Sequence, residues 1–220
     1  MTARGGTRAG EPGSAGRERR PSAAELTAAR GRTIPDVAGP ELRVLFAGIN
    51  PGLYSAATGY HFARPGNRFW RTLHAAGFTQ RVLLPREQQD LLAAGLGITN
   101  IVARATAQAD ELSGAELRAG ARALAAKVAR LRPAWLAIAG ISAYRTAFGK
   151  PGAGPGPQPE PVAGAPVWVL PNPSGLNAHW TPPSLAAEYA RLREAACLSP
   201  GDAGTGTGRG RSAGPEGEET

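Results

Sequence analysis

Val44-Leu45-Phe46-Ala47-Gly48-Ile49-Asn50-Pro51-Gly52 decides the reading of this chain. An apolar, β-branched and aromatic run that stops abruptly at Gly, Asn and Pro reads as a buried strand followed by a tight loop. In an open α/β sheet the crevice outside such a strand's carboxyl end is where ligands bind. Asn50 falls in that crevice, with an amide that donates and accepts hydrogen bonds but carries no charge at neutral pH. Such a group suits the holding of a water or of a base edge.

Working outward, three further strand candidates alternate with helical stretches. The first strand covers Leu42 to Ala47, the second Gly97 to Val102, the third Trp135 to Ala139 and the fourth Val167 to Leu170. Helices are expected over Asn67 to Ala76, Arg86 to Ala94, Ser142 to Phe148 and Pro183 to Cys197. The longest is capped by Ser113 and runs to about Leu131, with Leu117, Ala121, Leu124 and Val128 at helical spacing. The Pro/Gly-rich stretch from Pro151 to Pro161 is expected to punctuate rather than pack. Alternation of this kind implies right-handed crossovers and an α/β fold of three layers around a mostly parallel sheet. All four strands then point their carboxyl ends to one rim.

Residues 1–40 carry seven Arg against four acids, are rich in Gly, Ala, Ser and Pro, and show no convincing apolar period. They are expected to be a largely disordered tail, as is the Gly-rich stretch 201–220, which leaves a domain over 41–200. The formal charge of the 220-residue chain is +8, and residues 41–199 alone hold sixteen Lys and Arg against nine Asp and Glu. A basic surface of that size favours a polyanion through phosphate neutralisation and counterion release; a codon bias towards Arg would give part of the same signal. Cys197 is the only cysteine, which excludes a disulfide framework, a four-cysteine zinc site and an iron–sulfur cluster. With no membrane-length apolar run and no secretory signal, a soluble, cytosolic protein is expected.

Two loops on the rim carry the chemistry. In the first, Pro51 lacks the N–H that a phosphate cradle would use, and neither the dinucleotide spacing nor a phosphate-loop Lys-Ser/Thr is present. A nucleotide cofactor is therefore disfavoured, and Asn50 is either a turn residue or a catalytic one. Phe62 offers either core filling or a face on which a planar base could stack. His61 reads as a surface histidine, with donation to a phosphate or a leaving group as the alternative. Asn67, Phe69 and Trp70 look structural. In the second loop, Asn172-Pro173-Ser174-Gly175-Leu176 is either a plain turn or a wedge in which Leu176 enters a duplex where a base has left, while Ser174 holds phosphate. His179 and Trp180 extend it.

Gly48-Ile49-Asn50-Pro51-Gly52-Leu53, Pro65-Gly66-Asn67-Arg68-Phe69-Trp70 and Asn172-Pro173-Ser174-Gly175-Leu176, in that order and spacing, resemble the mismatch-specific uracil/thymine DNA glycosylases, and the bacterial G:U-mismatch enzymes in particular. Similarity continues through Arg104 to Ala109 and spans nearly all of Glu41 to Cys197. The resemblance implies a uracil-DNA glycosylase-like α/β/α fold with a four- to five-stranded sheet, and hydrolysis of the N-glycosidic bond of a base flipped from a duplex. It assigns Asn50 to positioning water and Phe62 to base stacking. Ile49, Gly52, Ser55 and Thr106 fall in the substrate pocket. Asn172, Ser174, Gly175, Leu176, Asn177 and His179 fall on the DNA-binding wedge. The chain departs from the bacterial pattern at Ala178, where those enzymes carry Arg, so contact with the opposite guanine falls to Asn177 or His179.

The expected activity is a monofunctional glycosylase that excises uracil opposite guanine, with thymine and ethenocytosine as further candidate bases. No Lys in these motifs is suited to Schiff-base chemistry, so no strand cleavage is expected, and neither a cofactor nor a metal is expected. The expected partner is double-stranded DNA, the expected state a monomer, and the expected location the cytoplasm at the nucleoid. A non-catalytic mismatch or damage binder on the same fold is the alternative, and an enzyme acting on free nucleosides a more distant one.

Overall fold

Strand β1 (Val44–Gly48) is buried at every position and hydrogen-bonded along both sides, so its exit is fixed by the ladders on either side. The computed structural model describes residues 19–175 and 179–196. Within them β1 pairs in parallel with β2 (Leu96–Asn100) on one side and with β3 (Trp135–Ala139) on the other. Next to β3 runs β5 (Val167–Leu170), also parallel, and β4 (Gly156–Pro157) closes that edge antiparallel to β5. The order β2-β1-β3-β5-β4 sends the chain from β1 to its left-hand neighbour and then back across to its right-hand one. That reversal makes a crevice between the carboxyl ends of β1 and β3.

Side chains alternate along β1 as the pleat requires. Val44 and Phe46 enter one apolar layer, with α3 (Phe69–Ala75), the 3-10 helix Pro85–Ala94 and α6 (Pro182–Ala195). Leu45 and Ala47 enter the other, with α4 (Gly114–Leu131) and α5 (Ile141–Phe148). Phe46 meets Phe69 and Phe78 edge-on, with ring centroids 5.6 and 5.4 Å away, the arrangement the ring quadrupole favours. The three-layer α/β/α reading therefore holds. The Ser113 cap also holds: its hydroxyl accepts from the Glu116 N–H, and Glu116 returns the bond in a capping box. No helix among the described residues is long and apolar enough to cross a membrane.

The structure departs from expectation in three places. The Pro/Gly-rich stretch supplies β4, a two-residue strand too short to carry any periodic signal. The loop after β1 contains a helix, α2 (Leu53–Thr58). Residues 19–40, expected within a disordered tail, are packed. Ser22 caps α1 (Ala23–Ala28) in a capping box, Ala29 is fully buried against Ala56 and Ala105, and Val37 exchanges both backbone hydrogen bonds with Ile98 at the β2 edge. The segment lacks an apolar period because backbone pairing and charge hold it. The Lys127 ammonium lies 2.7 Å from the Asp36 carboxylate and donates to Thr99 Oγ1 at 2.6 Å, while Thr99 donates to Asp36.

Replacing Asp36 with alanine strips Lys127 and Thr99 of a shared, half-buried acceptor and should cost about 2 kcal/mol of unfolding free energy. Chemical denaturation measures this, and an unchanged midpoint would show that charge does not hold the segment.

Candidate functional site

A cleft of about 710 Å³ opens at the carboxyl ends of β1 and β3 and draws its lining from both rim loops. Its first wall is stitched to the chain that leaves β2. Ile101 N donates to Gly48 O, Val102 N to Ile49 O and Thr106 N to Pro51 O, at 2.8, 2.9 and 3.2 Å. Gly52 forms an isolated bridge with Thr106. The backbone around Asn50 is thus immobilised on both sides.

The polarity of the Asn50 amide follows from its partners. Its nitrogen donates to the Arg104 carbonyl at 3.0 Å and to Thr106 Oγ1 at 2.7 Å, and Thr106 donates in turn to Gln108 O at 2.6 Å. Both terminal carbonyls can only accept, so the proton order along this chain has one solution. Asn50 Oδ1, with no hydrogen-bond partner among the described residues, remains as the acceptor for the cleft.

Phe62 adopts a left-handed backbone, with φ of 52°. Its ring stacks on Phe69 at a centroid distance of 4.0 Å and an interplanar angle of 19°. The Ser55 hydroxyl, on α2, steadies this turn by accepting from Ala63 N at 3.1 Å. A Cβ on Gly48 would lie 3.2 Å from the Phe62 ring and 2.7 Å from Asn100 Oδ1, so the glycine at the end of β1 lets both side chains line the cleft floor.

His61 is buried, contrary to its reading as a surface residue. Its Nε2 is 2.9 Å from the Pro35 carbonyl and its Nδ1 3.4 Å from Asn100 Nδ2. Burial pushes its pKa below the ordinary histidine value, and the Pro35 carbonyl and Asp36 only partly oppose that. Since the Pro35 oxygen is an acceptor, Nε2 carries the proton and Nδ1 accepts from Asn100. The sequence reading passed over Asn100, although it is a polar residue at the carboxyl end of a strand, the same signal that singled out Asn50.

The second wall is the loop after β5. Asn172 Oδ1 accepts from Ser174 N at 2.9 Å. Arg68, the cap residue of α3, donates its backbone N–H to Pro173 O at 2.9 Å and its guanidinium to Ser174 O at 2.8 Å and Trp180 O at 2.5 Å. Gly175 is exposed beside the other loop, where a Cβ would sit 2.6 Å from Gly66 O. Arg68 therefore ties down both shoulders of a segment whose tip, Leu176, Asn177 and Ala178, lies outside the described residues. His179 is exposed and lines the cleft together with Asn172 and Ser174. Of the expected site residues, Ile49, Asn50, Gly52, Ser55, Phe62 and Thr106 also line it. Further lining residues that the sequence reading did not single out include Arg64, Asp110, Gly140, Ser142 and Arg145.

A family model described as the uracil DNA glycosylase superfamily matches residues 35–195. Among solved structures, the chain resembles the solution structure of a provisionally assigned uracil DNA glycosylase from Methanosarcina acetivorans. The TM-score is 0.51 and the identity 20%, over 74% of this chain and 98% of that one. At that identity the likeness bears on the fold.

His61 gives a stability signature. Its folded pKa is depressed, so above about pH 6.5 neither state is protonated there. As pH falls below that value the unfolded chain takes up the proton first, and stability is lost as pH falls through the folded pKa. The His61 imidazole should titrate below the ordinary value in an NMR pH series. A titration at or above the ordinary value would contradict the burial.

Proposed function

From the premise that this chain belongs to the uracil DNA glycosylase superfamily, we propose that it is a DNA base-excision glycosylase. On this reading it hydrolyses the N-glycosidic bond of uracil mispaired with guanine in duplex DNA. The observation that carries the reading is the Asn50 amide. Its nitrogen is spent on Arg104 and Thr106, and its oxygen is left to orient one water in the cleft.

An amide is too weak a base to deprotonate water before bond cleavage, so the reaction leans on the leaving group. The bond from C1′ to the pyrimidine nitrogen breaks with its electron pair passing to the base, and the sugar acquires oxocarbenium character. The water aligned by Asn50 Oδ1 adds to C1′, and its proton passes to solvent or to the departed base anion. Backbone N–H groups of the first loop stabilise the developing negative charge. Phe62 supports one face of the extruded base by stacking. Asn100 offers Oδ1 and its second N–H, a donor and acceptor pair that complements the N3–H and carbonyl edge of uracil. The loop running through Leu176, held at its shoulders by Arg68, fills the place vacated in the duplex and offsets part of the few kcal/mol of unstacking.

Arg64 and Arg145 on the cleft lining suit a phosphate backbone. The reading extends to a monofunctional enzyme without strand cleavage, working as a monomer in the cytoplasm, with slow turnover because no carboxylate base activates the water. Thymine and ethenocytosine opposite guanine are the further substrates to try.

Single-turnover release from duplexes carrying G:U, A:U, G:T and G opposite ethenocytosine, with single-stranded uracil beside them, tests the activity. Asn50→Ala should slow uracil release by at least about a hundredfold, as expected when the attacking group is no longer aligned, while duplex binding is retained. Full activity in that variant would remove Asn50 from the mechanism. Tight mismatch binding with no base released by the unaltered chain would instead make the protein a damage binder.

A further inference from the structure

We propose that His61 is a specificity-determining positioning residue: its Nε2–H tautomer, anchored on the Pro35 carbonyl, locks the Asn100 amide in the polarity that accepts uracil and refuses cytosine. This rests on the glycosylase reading above and deepens it by assigning the base discrimination to a residue that need not touch the base.

The argument is one of donor and acceptor order. An amide has two faces of nearly equal shape, and turning it over exchanges its oxygen for its nitrogen. If Asn100 turned freely, the same side chain would serve either pyrimidine. Uracil presents an N3–H donor beside a carbonyl acceptor, whereas cytosine presents an N3 acceptor beside an amino donor. Three atoms remove that freedom. The Pro35 carbonyl has only lone pairs, so His61 Nε2, 2.9 Å away, must carry the proton. In the neutral ring Nδ1 is then an acceptor, and the atom 3.4 Å from it must be the Asn100 nitrogen. Turning the amide would set Asn100 Oδ1 against the Nδ1 lone pair. With the turn forbidden, Oδ1 lies over Gly48, 2.7 Å from where a Cβ would stand, and the cleft meets one polarity only.

The surroundings of His61 are built to hold this state. Its backbone N–H donates to Gln88 Oε1 at 2.9 Å and its carbonyl accepts from Trp70 Nε1 at 3.2 Å, so the residue is pinned from the 3-10 helix and from α3. The charged groups that face the ring are Asp36, from the N-terminal segment, and Lys127, from α4. They pair with each other at 2.7 Å and largely cancel at the ring. Trp70, Gln88 and Asn100, on the other packed elements, are uncharged. Pro35 and Asp36 belong to the N-terminal segment expected to be disordered, so that segment reaches the chemistry of the site through one carbonyl.

The test is the ratio of single-turnover release rates for uracil and 5-fluorocytosine, each opposite a tetrahydrofuran abasic analogue so that neither is paired. 5-Fluorocytosine keeps the cytosine edge but departs more readily. His61→Asn sets an amide near the place of Nδ1; that amide can donate or accept, so Asn100 is satisfied either way round. The uracil preference should fall about tenfold, the scale of one hydrogen bond. His61→Leu, which offers no acceptor, should fall as far. The nitrogen-15 spectrum of the unaltered protein at neutral pH should show His61 as the Nε2–H tautomer, which keeps the idea testable if the leucine variant does not fold. An Nδ1–H tautomer, or an unchanged ratio in a folded His61→Asn variant that still releases uracil, would overturn the lock and leave the glycosylase reading intact. Failure of the unaltered chain to release uracil would overturn both.

Discussion

The buried central strand β1 is the constraint on which the rest depends. Bonded to β2 on one side and β3 on the other, it cannot slide without breaking two ladders and turning Val44 and Phe46 out of their layer. Its end at Gly48 is therefore a fixed point, and the side chains that meet over Gly48 inherit that precision. Phe62 arrives from the loop after β1 and Asn100 from the end of β2. Asn100 is laddered to Gly48 itself, and the turn that carries Phe62 is held by Ala63 N–H donating to the Ser55 hydroxyl and His61 N–H donating to Gln88. A site whose chemistry rests on alignment needs such a frame, because misplacement by about an ångström can cost a hundredfold in rate.

Two short hydrogen-bond chains use this frame in the same way. One runs from Asn50 to the Arg104 carbonyl and through Thr106 to the Gln108 carbonyl; the other runs from Asn100 through His61 to the Pro35 carbonyl. Each ends on a main-chain oxygen that cannot donate, and each begins at an amide in the cleft. The backbone thus fixes the polarity of two neutral side chains without placing a charge near the ligand. Glycine supplies the space. At Gly48 a Cβ would collide with Asn100, and at Gly175 with the carbonyl of Gly66, so neither loop could approach so closely with any other residue.

Much of this was legible in the sequence because its signals are local. The apolar run ending at Asn50, the Ser113 cap and the helical spacing of Leu117, Ala121, Leu124 and Val128 each fix an element from a few neighbouring residues. The sheet's parallel order followed from alternation. What escaped was set by partners distant in sequence. Nothing near His61 shows that it is buried under Pro35, 26 residues earlier, and nothing near Asp36 shows that Lys127 awaits it 91 residues later. The tail boundary at residue 40 failed for that reason: the segment packs through an edge bridge, isolated buried residues such as Ala29 and Val37, backbone bonds to Ala105 and ion pairs from Asp36 and Arg30, none of which produces a period. Asn100 was missed through an error of two residues in the end of a strand, since β2 stops there rather than at Val102.

The neutrality of the cleft floor has a consequence for the partner. A carboxylate in the place of Asn50 would be a stronger base, but it would face a phosphate backbone across a low-dielectric cleft and repel it. Among the described residues, those that bring charge to the lining include Arg64 and Arg145 and one acid, Asp110, which is exposed. On the proposed function, binding and chemistry are thereby separated. Arginines attract the polyanion at long range, where salt screens them, and amides select and align at contact distance, where salt has little hold. Raising the ionic strength should then weaken DNA capture while leaving the rate of the bound, extruded base nearly unchanged. On the same proposal this division lets a basic protein tolerate a weak catalytic group: the Asn50 amide would forgo proton abstraction, and the neutral site would admit the phosphates that carry the substrate to it.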